Sequence, residues 1–158
     1  MSSTTISYTK KVATKPIVKN RKAWFEYEVM DKFEAGIALV GTEVKSIREG
    51  KVKIVDSFCH ITGDMQMELH QMEISPYRFG NIHNHQANRI RRLLMHKSEI
   101  KRLFSKVKEK GLTLIPLSMY YKDGIVKVEI ALCRGKKLHD KRATMKEKDA
   151  KREIKKEF

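Results

Sequence analysis

The pair Asp123-Gly124 is the sequence feature that most constrains the fold of this chain. Asp-Gly is a preferred pair for two-residue hairpin turns of type I′, which need positive φ at both positions. It lies here between two apolar-rich runs, residues 112–121 and 125–133. The second run alternates polar and apolar residues from Lys127 to Leu132, the period of a half-buried strand. The sequence therefore predicts an antiparallel hairpin near the end of its apolar region.

Further strand signals precede this hairpin. Residues 23–30 and 33–40 are typical of two strands joined by a turn at Asp31-Lys32. Gly36, inside the second run, predicts a bulge or a close backbone approach. Residues 57–62 and 65–69 flank Gly63-Asp64, a second two-residue hairpin signal.

Two segments have helical patterns. In residues 41–50, Thr42 is the predicted N-cap and Gly50 the predicted stop. In residues 97–110, apolar side chains recur at i, i+3, i+4 and i+7, and Gly111 follows the last turn. With about six strands, two to three helices and hairpins rather than β-α-β units, we predict a mainly β fold. We expect a closed or nearly closed antiparallel six-stranded barrel of the oligonucleotide-binding (OB) type with flanking helices; an α+β sandwich is the alternative.

Positive charge is concentrated at the two ends of the chain. Residues 1–22 hold six Lys/Arg and no acid, and residues 134–158 hold eleven Lys/Arg against five Asp/Glu, of a total net charge of +15. We therefore predict a disordered basic arm (1–19), a folded domain that binds nucleic acid (20–133), and a basic tail (134–158). The tail is expected to be disordered when free and helical on a polyanion.

Composition excludes several classes of protein. No apolar run approaches the roughly 18 residues of a membrane span, and the Ser/Thr/Lys-rich N-terminus lacks the apolar stretch of a signal peptide. Cys59 and Cys133 lie in apolar strand-like runs, which favours two buried thiols over a single disulfide. We expect a cytoplasmic protein.

The tripeptide His83-Asn84-His85 has the letters of an HNH nuclease motif. Such a site needs further metal ligands in a hairpin-helix frame, and the sequence has no pattern for either. Loop side chains that bond backbone or phosphate are the simpler interpretation; a metal-dependent nuclease using His83 and His85 is the alternative. We predict no catalytic residue, no metal and no cofactor.

Acidic and aromatic residues near the basic segments are candidates for RNA contacts. Glu34 can accept hydrogen bonds from base amino groups or 2′-hydroxyls, or it can be a solvated strand residue paired with a lysine. Trp24, Phe25 and Tyr27 can stack bases, although Trp24 and Phe25 cannot share one strand face.

Seven blocks of the sequence, in order, resemble the family of small protein B (SmpB). Together they cover about residues 20–148 and are Asn20-Arg21-Lys22-Ala23, Phe33-Glu34-Ala35-Gly36, Gly41-Thr42-Glu43-Val44-Lys45-Ser46, Ile74-Ser75-Pro76-Tyr77, Leu93-Leu94-Met95-His96-Lys97, Gly111-Leu112-Thr113 and the tail segment Gly135-Lys136-Lys137 through His139-Asp140-Lys141-Arg142. Several long blocks in series are a far more specific signal than any single motif.

The resemblance implies an OB-like fold and a non-enzymatic adaptor. It implies binding to the tRNA-like domain of transfer-messenger RNA (tmRNA), alongside elongation factor Tu, and delivery to stalled ribosomes for trans-translation. The tail would enter the decoding centre of the small subunit and the empty message channel, contacting ribosomal RNA. We expect a monomer with no membrane partner; a generic cationic ribosome-associated protein is the other alternative.

The resemblance also implies roles for particular residues. The implied tmRNA contacts are Asn20, Arg21, Lys22, Phe25, Glu34, Gly36, Lys45, Arg48, Asn84, His85, Leu94 and Lys127. Phe25 stands where the family commonly has a histidine, a change that keeps stacking and loses hydrogen bonding. The implied contacts to the decoding region are Gly135, Lys136, Lys137, His139, Asp140, Lys141 and Arg142.

Overall fold

A computed structural model describes residues 13–80 and 83–136. In these residues the strands are β1 (Thr14–Lys19), β2 (Tyr27–Ile37), β3 (Val52–Lys53), β4 (Phe58–Ile61), β5 (Met67–His70), β6 (Glu73–Ile74), β7 (Arg91–Leu94), β8 (Thr113–Lys122) and β9 (Ile125–Gly135). The helices of the same residues are α1 (Arg21–Glu26), α2 (Gly41–Arg48) and α3 (Lys97–Lys110). None of these helices is long and apolar enough to cross a membrane.

Six of these strands form a closed antiparallel ring. The order is β8-β4-β5-β7-β2-β9, and pairing between β8 and β9 closes it. Strand β1 adds to β8 outside the ring, and β3 pairs only with β6. The predicted mainly β architecture with a six-stranded antiparallel sheet and three helices is confirmed for the described residues.

The hairpin at Asp123-Gly124 is confirmed. Lys122 pairs with Ile125, so the loop has two residues, with φ of 53° at Asp123 and 77° at Gly124. Positive φ at both positions is the geometry of a type I′ turn, whose twist matches that of the flanking strands. The turn thereby fixes the register of the two long strands, β8 and β9.

The core fills the inside of the ring and extends beneath α3. Ile100 and Leu103 of α3 are buried, Phe104 and Val107 pack beside them, and Gly111 ends the helix with φ of 62°. This confirms the predicted amphipathic helix. Cys59 and Cys133 are both buried free thiols, as the sequence predicted.

The prediction for residues 23–40 was wrong in its elements. Residues 21–26 form helix α1 rather than a strand, and 27–37 form one continuous strand through the predicted turn. Asp31 and Lys32 pair with Leu132 and Ala131 of β9. A bulge between Val29 and Asp31 shifts the register, so the chain bends without leaving the sheet.

The prediction that residues 1–19 are disordered was wrong for the last six of them. Thr14–Lys19 pair with β8 from Lys122 to Ser118, and the β8 edge supplies hydrogen-bond partners that the isolated segment lacks. The folded part therefore begins before Asn20. Residues 1–12 and 137–158, which carry the rest of the arm and most of the predicted tail, lie outside the described residues.

Two local predictions also changed. Thr62 and Gln66 bond across a loop of three residues, in which Met65 has φ of 60°, so the Gly63-Asp64 hairpin exists with a longer turn. Helix α2 begins after Val40, whose N–H donates to Glu43, so Thr42 is not its N-cap.

Candidate nucleic-acid interface

Strand register brings four of the predicted contact residues together. Gly36 of β2 lies opposite Leu94 of β7 on one side and opposite Lys127 of β9 on the other. Glu34 lies two residues before Gly36, so it shares the same face of β2. The neighbouring Ala35 is buried in the core, which puts this face, the Glu34 surface, on the outside of the ring.

The backbone approaches closely at Gly36. A Cβ placed on Gly36 would lie 3.3 Å from the Cβ of Leu94. The predicted close approach is therefore confirmed, whereas the bulge of β2 lies between Val29 and Asp31 instead. Leu94 remains 53% exposed, so an apolar side chain stands on the outer surface beside charged neighbours.

Glu34 is held by two residues of β8. The hydroxyl of Tyr120 donates a hydrogen bond to its carboxylate, and Nζ of Lys122 lies 3.1 Å from Oε1. The Tyr120 hydrogen bond, followed by Lys122, lowers the pKa of Glu34 below its ordinary 4.5. Burial and the adjacent carboxylate raise the pKa of the Tyr120 hydroxyl. At neutral pH the site is thus an ionised acceptor with a protonated phenol beside it.

Sequence reasoning missed Tyr120 and Lys122, although a signal for them was present. The Asp123-Gly124 turn sets Lys122 opposite Ile125 and therefore Tyr120 opposite Lys127. Alternation along β8 then places Tyr120 and Lys122 on the same face as Lys127. The hairpin register alone was enough to identify both residues as neighbours of a site containing Lys127.

Asn20 has a structural role in this fold. Its side chain is 2% exposed, donates to the carbonyl of Pro116 at 2.9 Å and accepts from the N–H of Ala23 at 3.2 Å. It therefore caps α1 and ties it to β8, so its side-chain amide is committed within the fold. The RNA contact of Asn20 stays a prediction. Arg21 and Lys22, next along α1, are exposed, and Phe25 is half-buried.

Lys45 and Arg48 are exposed on α2, whose position is set by a buried ion-pair cluster. Glu43 and Arg91 are both fully buried, with Arg91 Nε donating to Glu43 Oε2 at 2.7 Å. Arg89 donates to the other oxygen at 2.6 Å, and the N–H of Val40 also donates to it. Burial opposes ionisation of Glu43, but Arg89, Val40 and Arg91 outweigh it and lower its pKa.

Asn84 and His85 fasten a loop. Asn84 accepts from the N–H of Tyr77 at 3.1 Å and donates to its carbonyl at 2.8 Å. His85 donates from Nε2 to the carbonyl of Ile74 at 2.9 Å, so Nδ1 accepts from the Thr42 hydroxyl at 2.8 Å. Both ring nitrogens of His85 are thus occupied within the protein, and it is buried, which excludes it as a free metal ligand.

Comparison with known proteins decides the family. The family described as "SmpB protein" matches this chain over residues 17–158. This chain belongs to the SmpB family. The resemblance carried by the seven sequence blocks is thereby confirmed, and the match runs through the SmpB tail segment.

Several curated relatives support the SmpB assignment. An SsrA-binding protein of Carboxydothermus hydrogenoformans is 54% identical over 142 residues, covering 90% of this chain and 95% of the relative. The SsrA-binding protein of Pelobacter propionicus is 52% identical over 140 residues, covering 89% and 91%. A solved structure described as "tmRNA-SmpB: a journey to the center of the bacterial ribosome" has a TM-score of 0.63 and 47% identity, covering 77% of this chain and 85% of its own.

Two residues of the predicted SmpB decoding segment lie in the described part of the chain. Gly135 pairs with Tyr27 at the end of β9, and the N–H of Lys136 donates to the carbonyl of Glu26 at 3.0 Å. The chain therefore leaves the ring directly beside the last turn of α1. The other members of that segment lie outside the described residues: Lys137, His139, Asp140, Lys141 and Arg142.

Proposed function

We propose that this chain binds the tRNA-like domain of tmRNA and delivers it to stalled ribosomes for trans-translation. The observation that carries this proposal is membership of the SmpB family over residues 17–158. Relatives about half identical to it are SsrA-binding proteins, and the description of a structural neighbour names tmRNA-SmpB and the bacterial ribosome. The net charge of +15 suits a protein whose two proposed partners, tmRNA and the ribosome, both present RNA phosphates.

The Glu34 surface is the proposed site for the tRNA-like domain. The ionised carboxylate of Glu34 accepts hydrogen bonds from base amino groups or 2′-hydroxyls, which phosphate-binding cations cannot do. Lys127 neutralises phosphate, and Leu94 gives apolar contact with a base or sugar. Gly36 has no side chain that would stand between Leu94 and Lys127, so RNA can approach both of these residues.

Charged and aromatic residues outside this surface extend the proposed footprint. Arg21 and Lys22 on α1, with Lys45 and Arg48 on α2, are exposed cations for phosphate, and Phe25 is a stacking residue. Asn84 and His85 contribute by holding the loop that begins at Tyr77 rather than by free polar atoms.

The tail is proposed to act on the ribosome. In this proposal Gly135, Lys136, Lys137, His139, Asp140, Lys141 and Arg142 contact the decoding centre. The tail was predicted to begin at residue 134, but Arg134 and Gly135 belong to β9, so the segment proposed to order as a helix in the empty message channel begins after Lys136. Neutralisation of tail cations by ribosomal RNA offsets the entropy cost of that ordering. Such a tail has no need of a folded state of its own.

We also propose a fold type, a location and an oligomeric state for this protein. The six-stranded ring is proposed to be a barrel of the OB type, a fold that binds oligonucleotides with one face of its strands and the neighbouring loops. The protein would act in the cytoplasm as a monomer, alongside elongation factor Tu, by binding rather than by catalysis. The buried, doubly bonded His85 argues against the alternative of a nuclease built on His83 and His85.

A competition titration tests the RNA preference. Labelled tRNA-like domain is bound at fixed, near-physiological salt and competed with ordinary tRNA and with unrelated structured RNA of equal length. We expect strong preference for the tRNA-like domain, because shape and 2′-hydroxyl recognition discriminate between RNAs of equal charge. Equal competition by all three would favour a generic cationic protein, whose binding follows charge and salt alone.

Deletion of residues 136–158 tests the separation of body and tail. The truncated chain is expected to keep most of its affinity for the tRNA-like domain and to lose tagging of stalled chains on ribosomes. Loss of RNA binding on deletion would contradict the proposed division.

A further inference from the structure

A loop between β6 and β7 presents an unusually exposed aromatic ring. Phe79 is 71% exposed, the largest exposed fraction of any large apolar side chain in the described residues. It follows half-buried Tyr77 and exposed Arg78. Most of the Phe79 ring is therefore accessible to a partner outside the chain.

Rings and cations alternate around Phe79. The ring centroids of Tyr77 and Phe79 are 5.6 Å apart at an interplanar angle of 72°. The guanidinium carbon of Arg78 lies 4.6 Å from the Phe79 centroid, and Nζ of Lys45 lies 5.5 Å from that of Tyr77. Exposed Arg48 stands one turn along α2 from Lys45. Arg78 thus lies over the Phe79 ring and Lys45 over the Tyr77 ring. Exposed aromatic surface with cations beside it matches a planar base linked to phosphate.

The platform is held in place before any ligand arrives. Asn84 bonds both backbone groups of Tyr77, and the N–H of Gly80 donates to the Tyr77 carbonyl at 2.8 Å. A Cβ on Gly80 would lie 2.4 Å from Nδ2 of Asn84, so only glycine fits beside that amide. Nε of Arg78 lies 3.4 Å from Glu49, which steadies the cation. A preorganised loop loses little conformational entropy on binding.

We propose that Tyr77, Arg78 and Phe79, with Lys45 and Arg48 of α2, form a binding site for an unpaired RNA nucleotide. The base stacks on Phe79, and Lys45 and Arg48 pair with the adjoining phosphates. This site rests on the proposed RNA-binding function and is separate from the Glu34 surface, which is built on β2, β7, β8 and β9. The nucleotide belongs either to the tRNA-like domain or to ribosomal RNA.

A substitution that removes the Phe79 ring but keeps an apolar side chain tests the stacking contact, and one that keeps the ring is its control. Phe79→Leu, Phe79→Tyr and wild type are titrated, as full chains, with the tRNA-like domain and separately with isolated small ribosomal subunits. We expect Phe79→Leu to weaken binding to one of the two by roughly 5- to 100-fold with an unchanged salt slope, the range expected of one stacked base. Phe79→Tyr, which keeps the ring, should bind as wild type does.

Cations are tested by charge-matched variants. Lys45→Gln should weaken binding to the same RNA and reduce its salt slope, because one phosphate contact is lost. Arg102→Gln removes an equal charge from the exposed face of α3 and measures the effect of net charge alone. Equal effects of Lys45→Gln and Arg102→Gln would contradict the phosphate contact.

Fluorescence gives a readout at the loop itself. Trp24 is the only tryptophan, so Trp24→Phe combined with Phe79→Trp places a single reporter there. Stacking of a base is expected to quench its emission when RNA binds. Unchanged emission in the bound complex, or unchanged affinity of Phe79→Leu for both RNAs, would overturn the proposal. Failure of wild type to prefer the tRNA-like domain would contradict the proposed function instead.

Discussion

The hydroxyl of Tyr120, on β8, donates a hydrogen bond to the carboxylate of Glu34, on β2, although β9 runs between these two strands. The bond is made over the outer face of the ring, where β9 contributes Lys127 and Glu129 at the same level. Glu34 therefore presents one fixed orientation and a full negative charge in a protein with a large excess of positive charge.

Replacement of Tyr120 by phenylalanine removes the largest influence that lowers the pKa of Glu34. That pKa should rise towards 4.5, which an NMR titration of the Glu34 carboxyl carbon measures. Affinity for the tRNA-like domain should fall by about 2- to 10-fold, because one hydrogen bond contributes roughly 0.5–1.5 kcal/mol.

The adjacent tyrosine provides the control. The hydroxyl of Tyr121 is buried with no hydrogen-bond partner, and its ring packs against the core. Tyr121→Phe should leave both the Glu34 pKa and RNA binding unchanged, and it should be neutral or stabilising, since it removes an unsatisfied polar group. Equal effects of the two substitutions on RNA affinity would mean that Tyr120 acts through packing and not through Glu34.

Glu43→Gln should be among the most destabilising single substitutions in the chain. It leaves Arg91 fully buried without a counter-charge, which costs about 3–5 kcal/mol of unfolding free energy. Urea unfolding measures the loss. Glu28→Gln is the matched control, because its partner Arg134 is exposed and such surface pairs contribute about 0–1 kcal/mol. A cost below that of Glu28→Gln would contradict a structural role for the cluster.

Lowering the pH should remove the contribution of Glu43 to the free energy of unfolding. Its pKa in the folded state is lowered, so the ionised form stabilises the fold above its ordinary pKa of 4.5, and this contribution disappears as the pH falls through the folded-state value. The gap in unfolding free energy between wild type and Glu43→Gln should therefore be full at neutral pH and should narrow at more acidic pH. A gap that stays constant down to about pH 3 would show that Glu43 is not the titrating group.

Gly36→Ala should destabilise the ring. The added methyl would meet the Cβ of Leu94 at 3.3 Å, and a Cβ cannot move away by rotation, so β7 itself must shift. Overpacking of this kind costs roughly 1–3 kcal/mol, which thermal unfolding detects. Gly63→Ala is the control, because nothing lies within 4 Å of its added methyl and its φ is not positive. If both variants unfold at the same temperature, the approach of the two strands is looser than described.

Local sequence signals were sufficient to predict an element where residues close together in the chain determine it. The Asp123-Gly124 turn and the apolar stripe of α3 depend on residues close together in the chain, and both were predicted correctly. The strand prediction for residues 21–26 was wrong because the structure of this segment depends on contacts with distant residues. Asn20 caps them as a helix, and Ala23 buries itself against Ile115 and Leu117 of β8. Aromatic-rich composition suggested a strand, and tertiary packing overrode it.

Some residues of the candidate site could likewise be predicted from local sequence, and others could not. Register derived from one turn was enough to associate Tyr120 and Lys122 with Lys127, whereas the place of Glu34 beside them depends on the β2–β9 pairing, which no local pattern specifies. Glu43 and Arg91 are the least predictable, since charged residues are almost never fully buried unless paired. They are 48 residues apart in the chain, and only the fold reveals that each is the other's partner.

Strand β1 covers an edge of β8 that would otherwise be open to pairing with another molecule. Within the described residues, β4 meets β8 at the single pair Cys59 and Leu114, and β1 covers the same edge of β8 from Ser118 to Lys122. A chain shortened to begin at Asn20 would present that stretch of β8 as an open edge, with unpaired N–H and C=O groups ready to accept a strand from a second molecule. By pairing with this edge, the short strand β1 prevents edge-to-edge aggregation of the folded chain.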